Sequence, residues 1–184
     1  MSEYKITDLG ALTVPAQADV LEITDVSAST SAKITIQNLV GQAYADIKLI
    51  ADTGTQTLTA TYAKLTAFDS STAALNCTVA GDKDSITVTN AGVYQITFSS
   101  NFYAATAKTF LFALSVGDAE DIDAQTSVVV PTTGATNVHN VGFTILKTLA
   151  AGAVLTIEAK VHSATSATTF NNIDLVVKKI DASA

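Results

Sequence analysis

The chain has no tryptophan, one cysteine and two prolines, and only 15% of its 184 residues are charged. A single cysteine, Cys77, excludes an intrachain disulfide and a cysteine-based metal site. Its surroundings, Ala74-Leu75-Asn76-Cys77-Thr78-Val79, read as a strand and make it a small buried hydrophobe rather than a reactive thiol. No apolar run approaches the roughly 18 residues that cross a bilayer. The opening MSEYKITDLG has neither a basic region nor an apolar signal core, so neither membrane insertion nor export by a visible signal is expected. Lys and Arg number 10 against 17 Asp and Glu, and the formal charge is -7. So thin a supply of cations argues against nucleic acid as a partner, because phosphate binding needs clustered Lys and Arg.

Groups able to do chemistry are equally sparse. His139 and His162 are the two histidines, and neither has a Ser or Asp arrangement around it that spells a triad. The nine glycines fall singly at turns, so no phosphate-cradling loop is present. The densest carboxylate run is Asp118, Glu120, Asp121 and Asp123, in GDAEDID between two strand-like runs. Hard cations take several oxygens from one loop, which makes this run the best metal candidate. It lacks the spacing and glycine of a calcium-binding loop, and a charge run of this kind is ordinarily a solvated turn. The expectation is a non-enzymatic chain with no cofactor and no metal centre.

What the chain does have is alternation. After the turn signal Asn90-Ala91-Gly92, Tyr94, Ile96 and Phe98 alternate with Gln95, Thr97 and Ser99, the period-two pattern of a strand with one buried face. Similar runs cover 58–68, 75–79, 85–89, 109–116, 126–130, 138–146, 154–161 and 173–180. Gly81-Asp82, Gly117-Asp118, Pro131 to Gly134, Ala151-Gly152 and Asn171-Asn172 punctuate them as turns. Helical periodicity is weak throughout, so the fold class is all-β. Hydrophobic residues make up 48% of the chain. With few charges and no membrane span to absorb that fraction, some apolar surface is expected to be buried against another copy.

Two stretches carry a family resemblance. Ile86-Thr87-Val88 followed by Ala91-Gly92-Val93-Tyr94 and the alternating run to Phe98 resembles the third-strand signature of the tumour necrosis factor-like jelly roll, the fold of complement globular heads. Leu149-Ala150-Ala151-Gly152-Ala153-Val154-Leu155 is similar to the turn before that family's seventh strand, with Ala153 where many members carry an acidic residue. The resemblance implies an antiparallel jelly-roll sandwich and a three-fold homotrimer. Tyr62, Phe68, Tyr103, Phe143 and Phe170 are aromatics that one sandwich core need not accommodate, and they are the expected trimer-interface residues.

The first forty or so residues read differently. Val20 to Val26 and Lys33 to Val40 form a candidate hairpin across the small polar residues 27–31. A lone hairpin is marginal in water and borrows stability from whatever it docks on. The leucine-rich opening, the turn near Asp19, and Lys33-Ile34-Thr35 with Asn38-Leu39 are similar to the N-terminal modules of bacteriophage head and tail fibre proteins. That resemblance implies an attachment module followed by a knob. Between them Ile47-Lys48-Leu49-Ile50 reads as a last strand of the module or the entry strand of the knob, and the composition of 41–56 places the boundary near Gly54, giving an attachment module over 1–53 and a jelly-roll knob over 54–184. Leu9, Leu12, Val20, Leu21, Ile23, Ile34, Ile36 and Leu39 are its expected attachment residues, and the major capsid protein or another virion protein its partner. The expected role is a trimeric capsid decoration, cement or head fibre protein, made in the host cytoplasm and placed on the particle surface. The alternative is a tail receptor-binding tip whose loops bind a host surface glycan or protein.

Overall fold

A computed structural model describes residues 20–25, 30–35, 42–51, 53–104, 107–117, 119–131 and 137–180, with 20–25, 30–35 and 119–123 described by backbone alone. The chain divides into two compact units, one carrying an N-terminal hairpin and the other a body that starts at Gln42. The hairpin pairs β1 (Val20–Asp25) with β2 (Thr30–Thr35), in a register that sets Leu21 opposite Ile34 and Ile23 opposite Ala32.

The described body is all strand and loop. It contains β3 (Tyr44–Lys48), β4 (Gly54–Leu58), β5 (Ala63–Lys64), β6 (Ser70–Ser71), β7 (Cys77–Val79), β8 (Ile86–Val88), β9 (Gly92–Ala104), β10 (Thr109–Val116), β11 (Ala119–Val129), β12 (His139–Leu149), β13 (Val154–Val161) and β14 (Ser166–Lys179). They form two antiparallel sheets. One runs β12-β9-β14-β3-β6, with β4 also on β14; the other runs β11-β10-β13-β8-β7, with β5 also on β13. This is the antiparallel jelly-roll sandwich expected from the sequence. The first sheet is called the front sheet below, and the second the back sheet.

Strict alternation builds the core. On β9, Tyr94, Ile96, Phe98, Phe102 and Ala104 are buried, while Gln95, Ser99 and Asn101 point outward and are exposed. Phe110, Phe112 and Leu114 of β10 and Leu155, Ile157, Ala159 and Val161 of β13 face them from the back sheet. Phe102 is the hub, with ring centroids 5.1 Å from Phe110, 5.4 Å from Phe112 and 6.0 Å from Phe170. Burying each such ring contributes about 1.5–3 kcal/mol, and tilted pairs of this kind add about 0.5–1.5 kcal/mol. The buried Tyr94 hydroxyl donates to the Asn90 carbonyl at 2.7 Å, so its polar end is satisfied.

Three features depart from the sequence reading, each for a local reason. First, Asn171-Asn172 is not a turn. β14 runs straight through it with a register shift between Phe170 and Asn172, and this bulge lets Phe170 and Ile173 both face inward. Ser100 Oγ donates to the Asn172 carbonyl at 3.1 Å and so satisfies the bulged backbone. Second, most of the acidic run after Gly117 is strand, not loop. β10 and β11 form a hairpin around Gly117, whose φ of 60° is left-handed, and a register shift opposite Ala113/Leu114 takes up the extra residues. Third, β3 pairs with β14 from Asp174 to Lys178, so the body starts at Gln42 and not at the Gly54 boundary expected from composition.

Candidate functional site

The outward side of the front sheet is the surface that stands apart chemically. Its ladders align side chains in rows across four strands. Leu146, Gln95, Lys178 and Tyr44 form one row; Thr144, Thr97, Val176 and Asp46 the next; Gly142, Ser99, Asp174 and Lys48 the third. The β9 and β12 positions are uncharged, and the charged ones, Lys178, Asp46, Asp174 and Lys48, belong to β3 and β14. Thr97 and Thr144 hydroxyls bond across strands at 3.1 Å. Set among them are three apolar residues that a lone sandwich leaves in water: Leu146 at 65% exposure, Tyr44 at 42% and Val176 at 37%. Tyr44, Val176, Ala45, Asp46 and Thr72 line a shallow hollow at one side of this face.

Its charges gather where β3 meets β14. Asp46 accepts from the Thr72 amide at 2.9 Å and from the Thr72 hydroxyl, and its other oxygen lies 3.2 Å from Lys48 Nζ. Partial burial alone pushes the Asp46 carboxyl up, but the Thr72 hydrogen bonds and Lys48 outweigh it and hold the group below the usual Asp value. Asp174 has the opposite balance. Its Oδ1 is buried with no hydrogen-bond partner. Burial first, then repulsion from Asp46, raise its carboxyl above the usual value, and Lys48 offsets this only in part.

The back sheet presents a different surface. Lys64 pairs with Asp84 at 3.2 Å, Glu158 lies opposite Lys64, and Lys160 sits 4.0 Å over the Tyr62 ring. The Tyr62 hydroxyl donates to Gln125 Oε1 at 3.4 Å. This face carries its charges as a Lys64–Asp84 pair and a cation over an aromatic ring, although Asp84 Oδ1 is buried without a partner.

The aromatics expected at an interface are scattered by the fold. Phe170 is fully buried and Phe68 is 5% exposed, so both belong to the sandwich interior. Phe170 stands next to Asn171-Asn172, and the bulge there makes it a core position of β14. Phe143 points inward from β12, half-buried, with its ring 5.5 Å from Phe98. Tyr62 lies on the back sheet, and of the five only Tyr103 occupies an outward position of the front sheet, at the end of β9. Tyr44, Leu146 and Val176 were missed, yet the sequence carries a signal for two of them. Ile145-Leu146 and Leu175-Val176-Val177 put apolar residues in succession, and in a strand one of each pair must face outward.

The remaining sequence candidates do not converge. Asp118 lies outside the described residues, and Glu120, Asp121 and Asp123 are described only as backbone of β11. Among the described residues, no three His, Cys, Asp or Glu side chains are grouped to hold a metal. His139 opens β12 with its ring 6.0 Å from Phe102, and His162 is exposed just after β13 in the other sheet. Cys77 on β7 is half-buried against the core, and burial pushes its thiol up to about 11. Of the expected attachment residues, Val20, Leu21, Ile23 and Ile34 sit on the β1–β2 hairpin; Leu9, Leu12, Ile36 and Leu39 lie outside the described residues.

No family model matches the chain, and no curated protein matches it. Solved structures do. Eiger TNF from S. frugiperda superposes with a TM-score of 0.59 at 12% identity, covering 78% of this chain and 95% of that one. Murine APRIL gives 0.51 at 10% identity, covering 76% and 99%. The globular domain of zebrafish complement 1qA gives 0.50 at 12% identity, covering 76% and 96%. Identities this low speak of fold alone, and on that level the body is a jelly roll of the tumour necrosis factor and complement-head type.

Proposed function

We propose that this chain is a non-catalytic structural protein that self-associates as a homotrimer through the outward side of the front sheet. One observation carries the reading: Leu146, Tyr44 and Val176 lie exposed on one sheet face whose β9 and β12 positions, Gln95, Thr97, Ser99, Gly142 and Thr144, are uncharged, the charges being confined to β3 and β14. A flat face of Thr, Ser and Gln loses little on desolvation if its hydroxyls and amides are paired, while each apolar residue gains. Three-fold symmetry is supported by the resemblance to tumour necrosis factor-like jelly rolls, which implies a trimer.

The finer reading places the trimer in a bacteriophage virion, as a capsid decoration, cement or head fibre protein anchored by the β1–β2 hairpin to the major capsid protein or a neighbouring virion protein. Its support is the wording of the first forty or so residues and the division of the chain into a hairpin unit and a body. Attachment then works mechanically, by weak contacts multiplied through symmetry. Light scattering on the full chain tests the assembly: a mass three times the 19.0 kDa chain supports it, and a monomer at micromolar concentration overturns it. Copy number in purified particles tests the placement. Many copies spread over the shell fit decoration, whereas a few at one vertex fit the alternative, a tail tip whose loops bind a host surface glycan or protein.

A further inference from the structure

Asp174 is out of place on the face just described. It sits in the middle of β14, opposite Ser99 on β9 and Lys48 on β3, in the row below Val176. Among the described residues, the charged groups on the strands beside it are few. From β3 it meets Asp46 and Lys48, but the Lys48 ammonium is taken by Asp46 at 3.2 Å. From β9 the outward neighbours are Thr97, Ser99 and Asn101, none of them charged. Beyond β3, the outward-lying Ser70 of β6 and then Thr72 are neutral, Thr72 donates to Asp46 rather than to Asp174, and Asp69, just before β6, accepts from the Ile50 and Ala51 amides at 2.8 and 2.9 Å. On its own strand the next charge is Lys178, which lies in the Leu146–Tyr44 row. Asp174 Oδ1 is thus already out of water within one copy, with no donor.

We propose that self-association through the front sheet is controlled by protonation of Asp174: ionised, it holds the face open to water, and neutral, it allows the face to close against another copy. The inference rests on the assembly proposed above and adds its regulation. A second copy laid on this face removes the water that still reaches the Asp174 carboxyl, and transferring an ionised carboxylate into a low-dielectric contact costs several kcal/mol unless a partner charge is supplied. The nearest cation is committed to Asp46, and the nearest anion is Asp46 itself. Binding a proton removes both the desolvation cost and the repulsion, so assembly and proton uptake are linked, and each strengthens the other. Asp46 is held ionised by Thr72 and Lys48 and does not compete for that proton.

The test measures the dissociation constant of the full chain by sedimentation at about pH 7.5 and about pH 5.5, for wild type, Asp174→Asn and, as a second neutral side chain, Asp174→Ser, with circular dichroism confirming the fold. A one-unit difference in a group's pKa between free and associated forms corresponds to about tenfold in affinity. The expected result is that wild type associates at least about tenfold more tightly at the lower pH, and that the neutral variants already associate more tightly than wild type at about pH 7.5 and respond less to acid than it does. The neutral-pH comparison matters because the whole chain loses its net charge of -7 towards its pI near 4.5, which favours contact between copies without any switch. Neutral variants that associate no more tightly than wild type at the higher pH, or that keep the wild-type acid response, overturn the switch. Weaker association of the variants also overturns it, because Asp174 then meets a cation from the other copy. If wild type and variants are all folded monomers at both values, the assembly reading itself fails.

Discussion

Asp174 stands directly opposite Lys48 in the β14–β3 ladder, yet the Lys48 ammonium lies 3.2 Å from Asp46 and Asp174 Oδ1 is left buried without a partner. A cross-strand acid and base in register would ordinarily pair. Here Lys48 turns along its own strand, because Asp46 is fixed by Thr72 and offers a carboxylate that is already oriented. One cation serves two acids, and the two acids shift in opposite directions.

A stability prediction follows from Asp174. A carboxyl whose folded value is raised above its unfolded value contributes stability that is fully present below the unfolded value, near 3.8, and lost as pH rises through the folded value. At neutral pH the ionised group is therefore a net cost. Asp174→Asn removes the buried charge and its repulsion from Asp46 while keeping the shape, and should stabilise the fold at pH 7 by about 1 kcal/mol. Urea unfolding of dilute protein should show the gain at neutral pH and its disappearance in acid.

Gly142 is the second position where one atom decides. A Cβ there would stand 2.6 Å from the Phe98 carbonyl oxygen on the neighbouring strand, which is backbone and cannot rotate away. Gly142→Ala should destabilise the body by about 1–3 kcal/mol, the range for overpacking a well-filled site. A lower urea midpoint with an unchanged slope would confirm it; an unchanged midpoint would show that β9 and β12 can separate at no cost.

For Leu146 the expectation separates folding from assembly. At 65% exposure on an edge strand it contributes little to the single copy. Leu146→Glu should leave stability within about 0.5 kcal/mol of wild type while reducing the scattering mass to that of one chain. If the mass stays at three chains, the contact lies on another face.

Cys77 offers a chemical check on the core boundary. With its thiol pushed up to about 11 by burial, almost no thiolate is present near neutral pH. Iodoacetamide should therefore label the folded chain at least about tenfold more slowly than the urea-unfolded chain, in which the thiol has its ordinary acidity. Equal rates would place β7 outside the protected body.

Much of the architecture could be read directly. β10 and β13 were expected at Thr109 to Val116 and Val154 to Val161, and their observed bounds agree, because each is a short apolar-rich run with a glycine turn at one end, Gly117 after β10 and Gly152 before β13. The same holds for the heart of β9 and for the sandwich itself. The places where reading failed are those where the deciding contact is distant in sequence. Two asparagines look like a turn until β9 and Ser100 hold them as a bulge, and that single extra residue moves Phe170 from a presumed surface to the core. β3 could have closed the hairpin module or opened the knob until β14, more than a hundred residues on, supplied its partner.

Local pattern by itself determined that this chain is all-β, where its most regular strands lie, and that one face of each is apolar, because the alternation of side chains is a property of the strand alone. Only the tertiary structure decided which strand lies beside which. With that it decided that Leu146, Tyr44 and Val176 share one outward face and that Asp174 faces two charges of β3 with no cation left to pair it. Period two specifies the side of a sheet and is silent about the neighbour; neighbours are chosen by burial and backbone pairing summed over the whole sandwich.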